Sequence, residues 1–81
     1  MEAYSMIWSC ASRGYTSCCV KLNGLQVNTL RHAGFVIQFI RIIPTTVDPQ
    51  DCIVSWRYAK EGSHAKKLLD LAAKKNPALR K

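Results

Sequence analysis

The segment CIVSWRY, residues 52–58, is the clearest strand signal in the chain, because its side chains alternate between two faces. Four side chains of this segment share one face: Cys52, Val54, Trp56 and Tyr58. Ser55 and Arg57 fall on the other face. Alternation of this kind is typical of a strand with one face toward the core and one toward solvent. The segment therefore predicts a half-buried antiparallel strand, with the side chains of Cys52, Val54, Trp56 and Tyr58 in the core.

The residues before this strand predict its hairpin partner. Residues 35–43 are dense in Phe, Val and Ile, and Pro44 ends the run because proline lacks the N–H that a sheet requires. Residues 45–50 have the composition of a hairpin loop. The polar residues of the run, Gln38 and Arg41, have opposite parity, so neither face is marked as solvent-facing. We therefore expect this strand to be the central one.

Two helices and another strand are predicted before the hairpin. Residues 3–13 have helical apolar spacing, and residues 17–21 are typical of a short strand. Residues 24–33 form a second helix between Asn23, a good N-cap, and Gly34, a natural C-terminal stop. These patterns assign the following residues to the core: Tyr4, Ile7, Trp8 and Ala11 in the first helix, and Leu25, Val27, Leu30 and Ala33 in the second.

A basic helix follows the hairpin. Gly62 breaks the chain, Ser63 can cap, and the helix ends before the Asn76-Pro77 pair. Its apolar stripe comprises Ala65, Leu68, Leu69 and Ala72. Residues 60–81 contain seven of the twelve Lys and Arg residues but only two of the five acids. The predicted organisation is an α+β domain of order α-β-α-β-β with an antiparallel sheet, residues 1–59, followed by a basic helical arm, residues 60–81.

Size and charge narrow the possible functions. A chain of 81 residues fits one small domain, and no apolar run reaches the ~18 residues that span a bilayer. The net charge of +7 suits a polyanionic partner. Four cysteines are too few for a disulfide scaffold, which favours a reducing compartment. A secretory signal is not expected, whereas an organellar transit segment within residues 1–21 stays open as an alternative.

The inventory of reactive side chains argues against catalysis and metal binding. No two carboxylates fall on a shared face, and His32 and His64 each lie among basic residues, as surface or packing histidines do. Cys18 and Cys19 are adjacent on a strand, so their side chains point to opposite faces and one zinc ion could hardly take both. We expect no enzyme, no cofactor, no metal and no small-molecule substrate.

Aromatic and basic residues raise the possibility of nucleic-acid binding. The candidates for base stacking are Trp8, Tyr15, Phe35, Phe39, Trp56 and Tyr58. Most coincide with predicted core positions, and Tyr15, beside Arg13 in a loop, is the exception. The basic helix could be a solvated face, a membrane-surface helix or a phosphate-contacting arm. Its apolar side offers only Ala and Leu, which favours packing on protein with lysines toward phosphate.

Several short strings, taken in order, resemble the N-terminal half of the small-subunit ribosomal protein eight family. They are Tyr4-Ser5-Met6-Ile7, Cys19-Val20-Lys21, Asn23-Gly24-Leu25, Gly34-Phe35-Val36 and Ile53-Val54-Ser55-Trp56-Arg57-Tyr58. The likeness covers about residues 3–59, and the Gly-Phe-Val turn and the final Arg-Tyr contribute most to it. The family's first helix usually carries arginines where Met6 and Trp8 stand here. Residues 60–81 stand in place of the family's C-terminal domain, with its Ser-Thr-Ser-x-Gly loop.

The resemblance implies a structural, non-catalytic constituent of a small ribosomal subunit in mitochondria. Its partners would be ribosomal RNA and neighbouring ribosomal proteins, without membrane insertion. The cations expected to contact RNA are Arg13, Lys21, Lys66, Lys67, Lys74, Lys75, Arg80 and Lys81. Two rivals stay open: an accessory subunit of an organellar membrane complex that docks through the basic helix, and a thiol-based metal or redox module.

Overall fold

The computed structural model describes residues 2–40 and 49–80, and its elements follow the predicted order. They are helix α1 (Glu2–Ser12), strand β1 (Ser17–Leu22), helix α2 (Gly24–His32), strand β2 (Val36–Phe39), strand β3 (Gln50–Ser55), helix α3 (His64–Lys75) and a short 3-10 helix (Pro77–Arg80). The prediction of an α+β fold with an antiparallel sheet and a C-terminal helix is confirmed.

The strand order corrects one prediction. The sheet runs β1-β3-β2, with β3 antiparallel to both neighbours, so the strand predicted over 35–43 lies at an edge and the expectation that it is central is wrong. Alternation reports which face a side chain takes, but it does not report which edges of a strand are paired. Within β2, Val36 is exposed and Ile37 is buried, as expected of a strand covered on one face only. The last residues of the predicted strand and most of the predicted loop, residues 41–48, lie outside the described residues.

One face of the sheet is buried against helices and the other face of β1 is exposed. Cys18 pairs with Val54 and Val20 pairs with Cys52, and all four side chains are in the core. Helices α1 and α2 both contact β1. The exposed residues of β1 alternate with the buried ones: Ser17, Cys19 and Lys21. This pattern is typical of an antiparallel sheet with one face exposed to solvent.

Helix α2 begins and ends where the sequence predicts. The Asn23 side chain accepts a hydrogen bond from the Gln26 N–H at 2.8 Å, and the Gln26 side chain accepts one from the Asn23 N–H at 2.9 Å. This reciprocal pair is a capping box, which satisfies two N–H groups at the helix start. After the helix, Gly34 takes φ 99°, a left-handed conformation that favours glycine.

Helix α3 shares the core of the residues before it. Its buried side chains are Ala65, Leu68 and Ala72. The Ser63 side chain caps the helix by accepting from the Lys66 N–H, and the Ala65 N–H donates to the Ala33 carbonyl at 2.9 Å. The start of α3 is thereby fixed against the end of α2, and the basic C-terminal segment is packed on the domain through α3.

Helices α1 and α3 lie side by side with the same direction. Near their N-terminal ends the Tyr4 hydroxyl hydrogen-bonds to His64 Nε2. Beyond the C-terminal end of α1, a Cβ on Gly14 would lie 3.2 Å from the Asn76 Cβ and 3.4 Å from the Lys75 Cβ. The C-terminal ends of the two helices therefore meet at one end of the molecule.

The burial of several aromatic residues differs from the prediction. Phe35 and Trp56 are buried and meet edge to face, with ring centroids 6.2 Å apart. Trp8, Phe39 and Tyr58 are exposed, so assigning them to the core was wrong. The buried side chains of α1 are Ala3, Ile7 and Ala11. Leu25, another predicted core residue, is also exposed.

Candidate nucleic-acid interface

The lysines of α3 are not equivalent. Lys66 Nζ lies 3.4 Å from Glu61 Oε1 and 3.3 Å from Asp70 Oδ1, and its side chain is only 26% exposed. The hydrogen bond to Asp70 raises the pKa of Lys66. Its charge is thus already matched by two carboxylates. Lys67, Lys74 and Lys75 are exposed, and they carry the free positive charge of the helix.

The end of α3 brings two of these lysines close to the end of α1. Arg13 directly follows α1 and is exposed, and the close approach of Gly14 to Lys75 joins the two segments. Lys74 and Lys75 occupy the last turn of α3. Cations at this position complement the partial negative charge of a helix C-terminus. They remain solvent-accessible and so can contact an anion as well.

A hydrogen bond brings the start of β1 to the end of β3 at the same end of the molecule. The Trp56 N–H donates to the Thr16 carbonyl at 2.9 Å, one residue beyond the Ser17–Ser55 pair. Tyr15 and Arg57 flank this bonded pair. Tyr15 is 60% exposed and Tyr58 is 82% exposed. The Arg57 guanidinium carbon lies 6.0 Å from the centroid of the Tyr58 ring, within the range of a cation–π contact.

We call the resulting surface the tyrosine patch. It comprises Arg13, Tyr15, Arg57, Tyr58, Lys74 and Lys75. All six residues are exposed, and they come from three separate stretches of the chain. Surfaces that bind single-stranded nucleic acid commonly combine cations that contact the phosphates with aromatic rings on which the bases stack. The patch is therefore the candidate nucleic-acid interface.

The structure separates Lys21 from this group. Lys21 lies four residues along β1 from Ser17, or about 13 Å at the rise of a strand. It pairs in register with Asp51, and both line an open depression of 860 Å³. Among the described residues that line the depression, one cation accompanies one acid, so these residues contribute no excess of positive charge. The backbone of Arg80 ends the short 3-10 helix that follows α3. Lys81 lies outside the described residues.

The sequence identifies Arg13, Tyr15, Lys74 and Lys75 as candidates, misses Arg57, and names Tyr58 as a possible stacking residue but places it in the core. Tyr58 was assigned to the core because it continues the alternation of the final strand. The strand ends at Ser55, and a turn closed by the Ala59 N–H to the Trp56 carbonyl at 3.3 Å places Tyr58 outside. Arg57 was seen only as a strand residue with an outward side chain. The run Lys60-Glu61-Gly62 after it was the available signal that the strand had already ended.

The buried thiols Cys18 and Cys52 and the His64 ring have packing roles. Burial, followed by the neighbouring Cys10 thiol, raises the pKa of Cys18 to about 12. Burial also raises the pKa of Cys52. His64 packs edge-on against Phe35, with centroids 6.4 Å apart. Within residues 2–40 and 49–80, no three His, Cys, Asp or Glu side chains are grouped as a metal site would need.

Over the parts of the chain that the structure describes, no helix combines the length and hydropathy needed to cross a bilayer. Comparisons of the chain with known protein families, with characterised proteins and with solved structures found no match.

Proposed function

We propose that this protein binds ribosomal RNA as a non-catalytic structural constituent of a small ribosomal subunit, in mitochondria. The observation that carries the proposal is the tyrosine patch. Its four exposed cations and two exposed tyrosines lie on three segments that the Trp56–Thr16 hydrogen bond and the approach of Gly14 to Lys75 connect, in a chain with a net charge of +7. Phosphate contacts of this kind give affinity and orientation without reading sequence.

The ribosomal assignment rests on the ordered likeness to the ribosomal protein eight family over residues 3–59. The α-β-α-β-β order of that likeness agrees with the order of the described elements. Specificity would come from the shape of the folded RNA and from neighbouring ribosomal proteins, since lysines and arginines alone do not distinguish sequences.

The test is co-sedimentation of the tagged full chain on a sucrose gradient of mitochondrial lysate. We expect it in the small-subunit fraction at low salt and its progressive release as salt rises, because each phosphate contact adds ~0.7–0.9 to the log–log salt slope. Recovery with respiratory complexes instead would refute the proposal and favour the accessory-subunit alternative. A matched variant, Lys66→Gln, should sediment like the wild type because Lys66 is already paired with Glu61 and Asp70.

A further inference from the structure

Resting on the proposed function, we propose that the tyrosine patch binds unpaired nucleotides, stacking bases on Tyr58 and Tyr15 while the surrounding cations contact the phosphates. The partner is thus a single-stranded loop, bulge or end of RNA, and a regular duplex would bind more weakly. The inference starts from the exposure of the two rings, 60% for Tyr15 and 82% for Tyr58.

Tyr58 has a geometry suited to stacking. The Arg57 guanidinium approaches its ring to 6.0 Å, yet the residue keeps 82% of its surface exposed, so much of the ring stays open to solvent. A base on the open side of the ring would have Arg57 nearby for its phosphate. Bases already stacked inside a duplex have no free face for such a ring, whereas every unpaired base has one.

Tyr15 is close enough to serve the same short run of nucleotides. It lies one residue from Thr16, whose carbonyl accepts from the Trp56 N–H at 2.9 Å, and Tyr58 lies two residues from Trp56. With ~3.8 Å per residue and about 5.5 Å across a bonded pair, the two tyrosine Cα atoms lie within about 17 Å. Two stacking rings at this separation fit one continuous single strand.

Cations adjoin the rings on the side of the helices. Gly14 lies between Arg13 and Tyr15 in sequence, and a Cβ on it would lie 3.4 Å from the Lys75 Cβ, so the end of α3 comes close to the segment that carries Arg13 and Tyr15. The two acids nearest in sequence to the lysines of α3, Glu61 and Asp70, are held by Lys66 at 3.4 and 3.3 Å. Lys66 offsets one of these two negative charges, and with five lysines against two acids over residues 60–75 the segment keeps an excess of positive charge.

The experiment measures binding of the full-length chain to three probes by fluorescence anisotropy. The probes are a labelled single-stranded oligouridine, a labelled RNA duplex of similar length, and labelled heparin, a polyanion without bases. The variants are Tyr58→Leu and Tyr15→Leu, with Tyr58→Phe and Tyr15→Phe as controls that keep the ring. Because both tyrosines are exposed, we expect unchanged melting temperatures, which a thermal melt of each variant checks.

We expect each leucine variant to weaken oligouridine binding by about 5- to 150-fold, the effect of losing one stacked base. Binding to the duplex and to heparin should not change, and the phenylalanine variants should bind like the wild type. As a control away from the patch, Phe39→Leu removes an exposed ring that also has an arginine nearby, with Arg31 at 5.9 Å. This variant should retain its affinity.

Three outcomes would overturn the inference, and they are distinguishable. If the leucine variants bind oligouridine normally while Lys74→Gln/Lys75→Gln does not, RNA binding stands and stacking is wrong. If the wild type prefers the duplex, the partner class is wrong. If it binds neither RNA probe, both this inference and the proposed function fail, and a further assay with vesicles containing phosphatidylserine then tests a lipid surface as the partner.

Discussion

Replacing Gly34 by alanine should destabilise the fold far more than the same change at Gly62. Both glycines have positive φ, 99° and 83°, a conformation that costs a residue with a Cβ about 1–2 kcal/mol. A Cβ at Gly62 would meet no atom within 4 Å, so Gly62→Ala isolates that backbone cost. A Cβ at Gly34 would lie 2.8 Å from the Ser63 Cβ and 2.9 Å from the Ser63 Oγ.

The contact at Gly34 cannot be relieved by rotating a side chain, because the Ser63 Cβ is fixed to the backbone at the start of α3. Forcing atoms apart in a packed region costs about 1–3 kcal/mol more, which gives a total of about 2–5 kcal/mol for Gly34→Ala. For a domain of this size, 1 kcal/mol corresponds to about 4–8 °C in melting temperature.

Urea denaturation followed by circular dichroism measures both variants. We expect Gly62→Ala to lower the free energy of unfolding by about 1–2 kcal/mol and Gly34→Ala by clearly more. Equal losses in the two variants would refute the close packing of Gly34 against Ser63, and with it the fixed position of α3.

Three further predictions follow from charges, ionisation and capping. Lys74→Gln/Lys75→Gln should reduce the magnitude of the log–log salt slope for RNA binding by about 1.4–1.8, while Lys66→Gln should leave it unchanged; equal effects would contradict the pairing of Lys66 with carboxylates. Because the Cys18 pKa rises from its ordinary 9.0 to about 12 on folding, the unfolded thiol ionises first as pH rises, and stability present below pH 9 is lost above it. Between pH 8 and pH 10 this thiol should cost about 1.4 kcal/mol, seen as a decrease in urea stability that is larger in the wild type than in Cys18→Ala, which keeps the buried Cys52 thiol; an equal decrease in the two proteins would contradict the assignment. Asn23→Ala should cost about 0.5–2 kcal/mol in the same denaturation assay through loss of the capping box, and an unchanged midpoint would count against that cap.

Local signals predicted most of the fold. Asn23 and Gly34 mark the two ends of α2. The Asn23 side chain accepts a hydrogen bond from a backbone N–H at the start of the helix, and Gly34 adopts the positive φ that commonly follows a helix end. The burial of Cys52, Val54 and Trp56 followed from alternation along one strand. Each of these features depends on residues close together in sequence.

Features that depend on distant residues were not predictable. The order β1-β3-β2 depends on which strand edges pair, and no periodicity encodes that choice. Tyr58 continued the alternation of β3 but lies in a turn. In the candidate site, Tyr15 and three of the four cations could be predicted from the sequence. The close approach of Gly14 to Lys75 could not, because it depends on how α1 and α3 pack.

The hydrogen bond from Trp56 to Thr16 and the contact of Gly14 with Lys75 have a thermodynamic consequence. They assemble the patch from segments 13–15, 57–58 and 74–75, so an unfolded chain has no such surface. A nucleotide strand that binds only the assembled surface must favour folding, by about 2.7 kcal/mol when present at a hundred times its dissociation constant. For a protein this small, that gain is a sizeable share of the ~4–12 kcal/mol expected for the whole fold. Under the proposed function, an RNA bound at the patch would therefore increase the folded fraction of the chain.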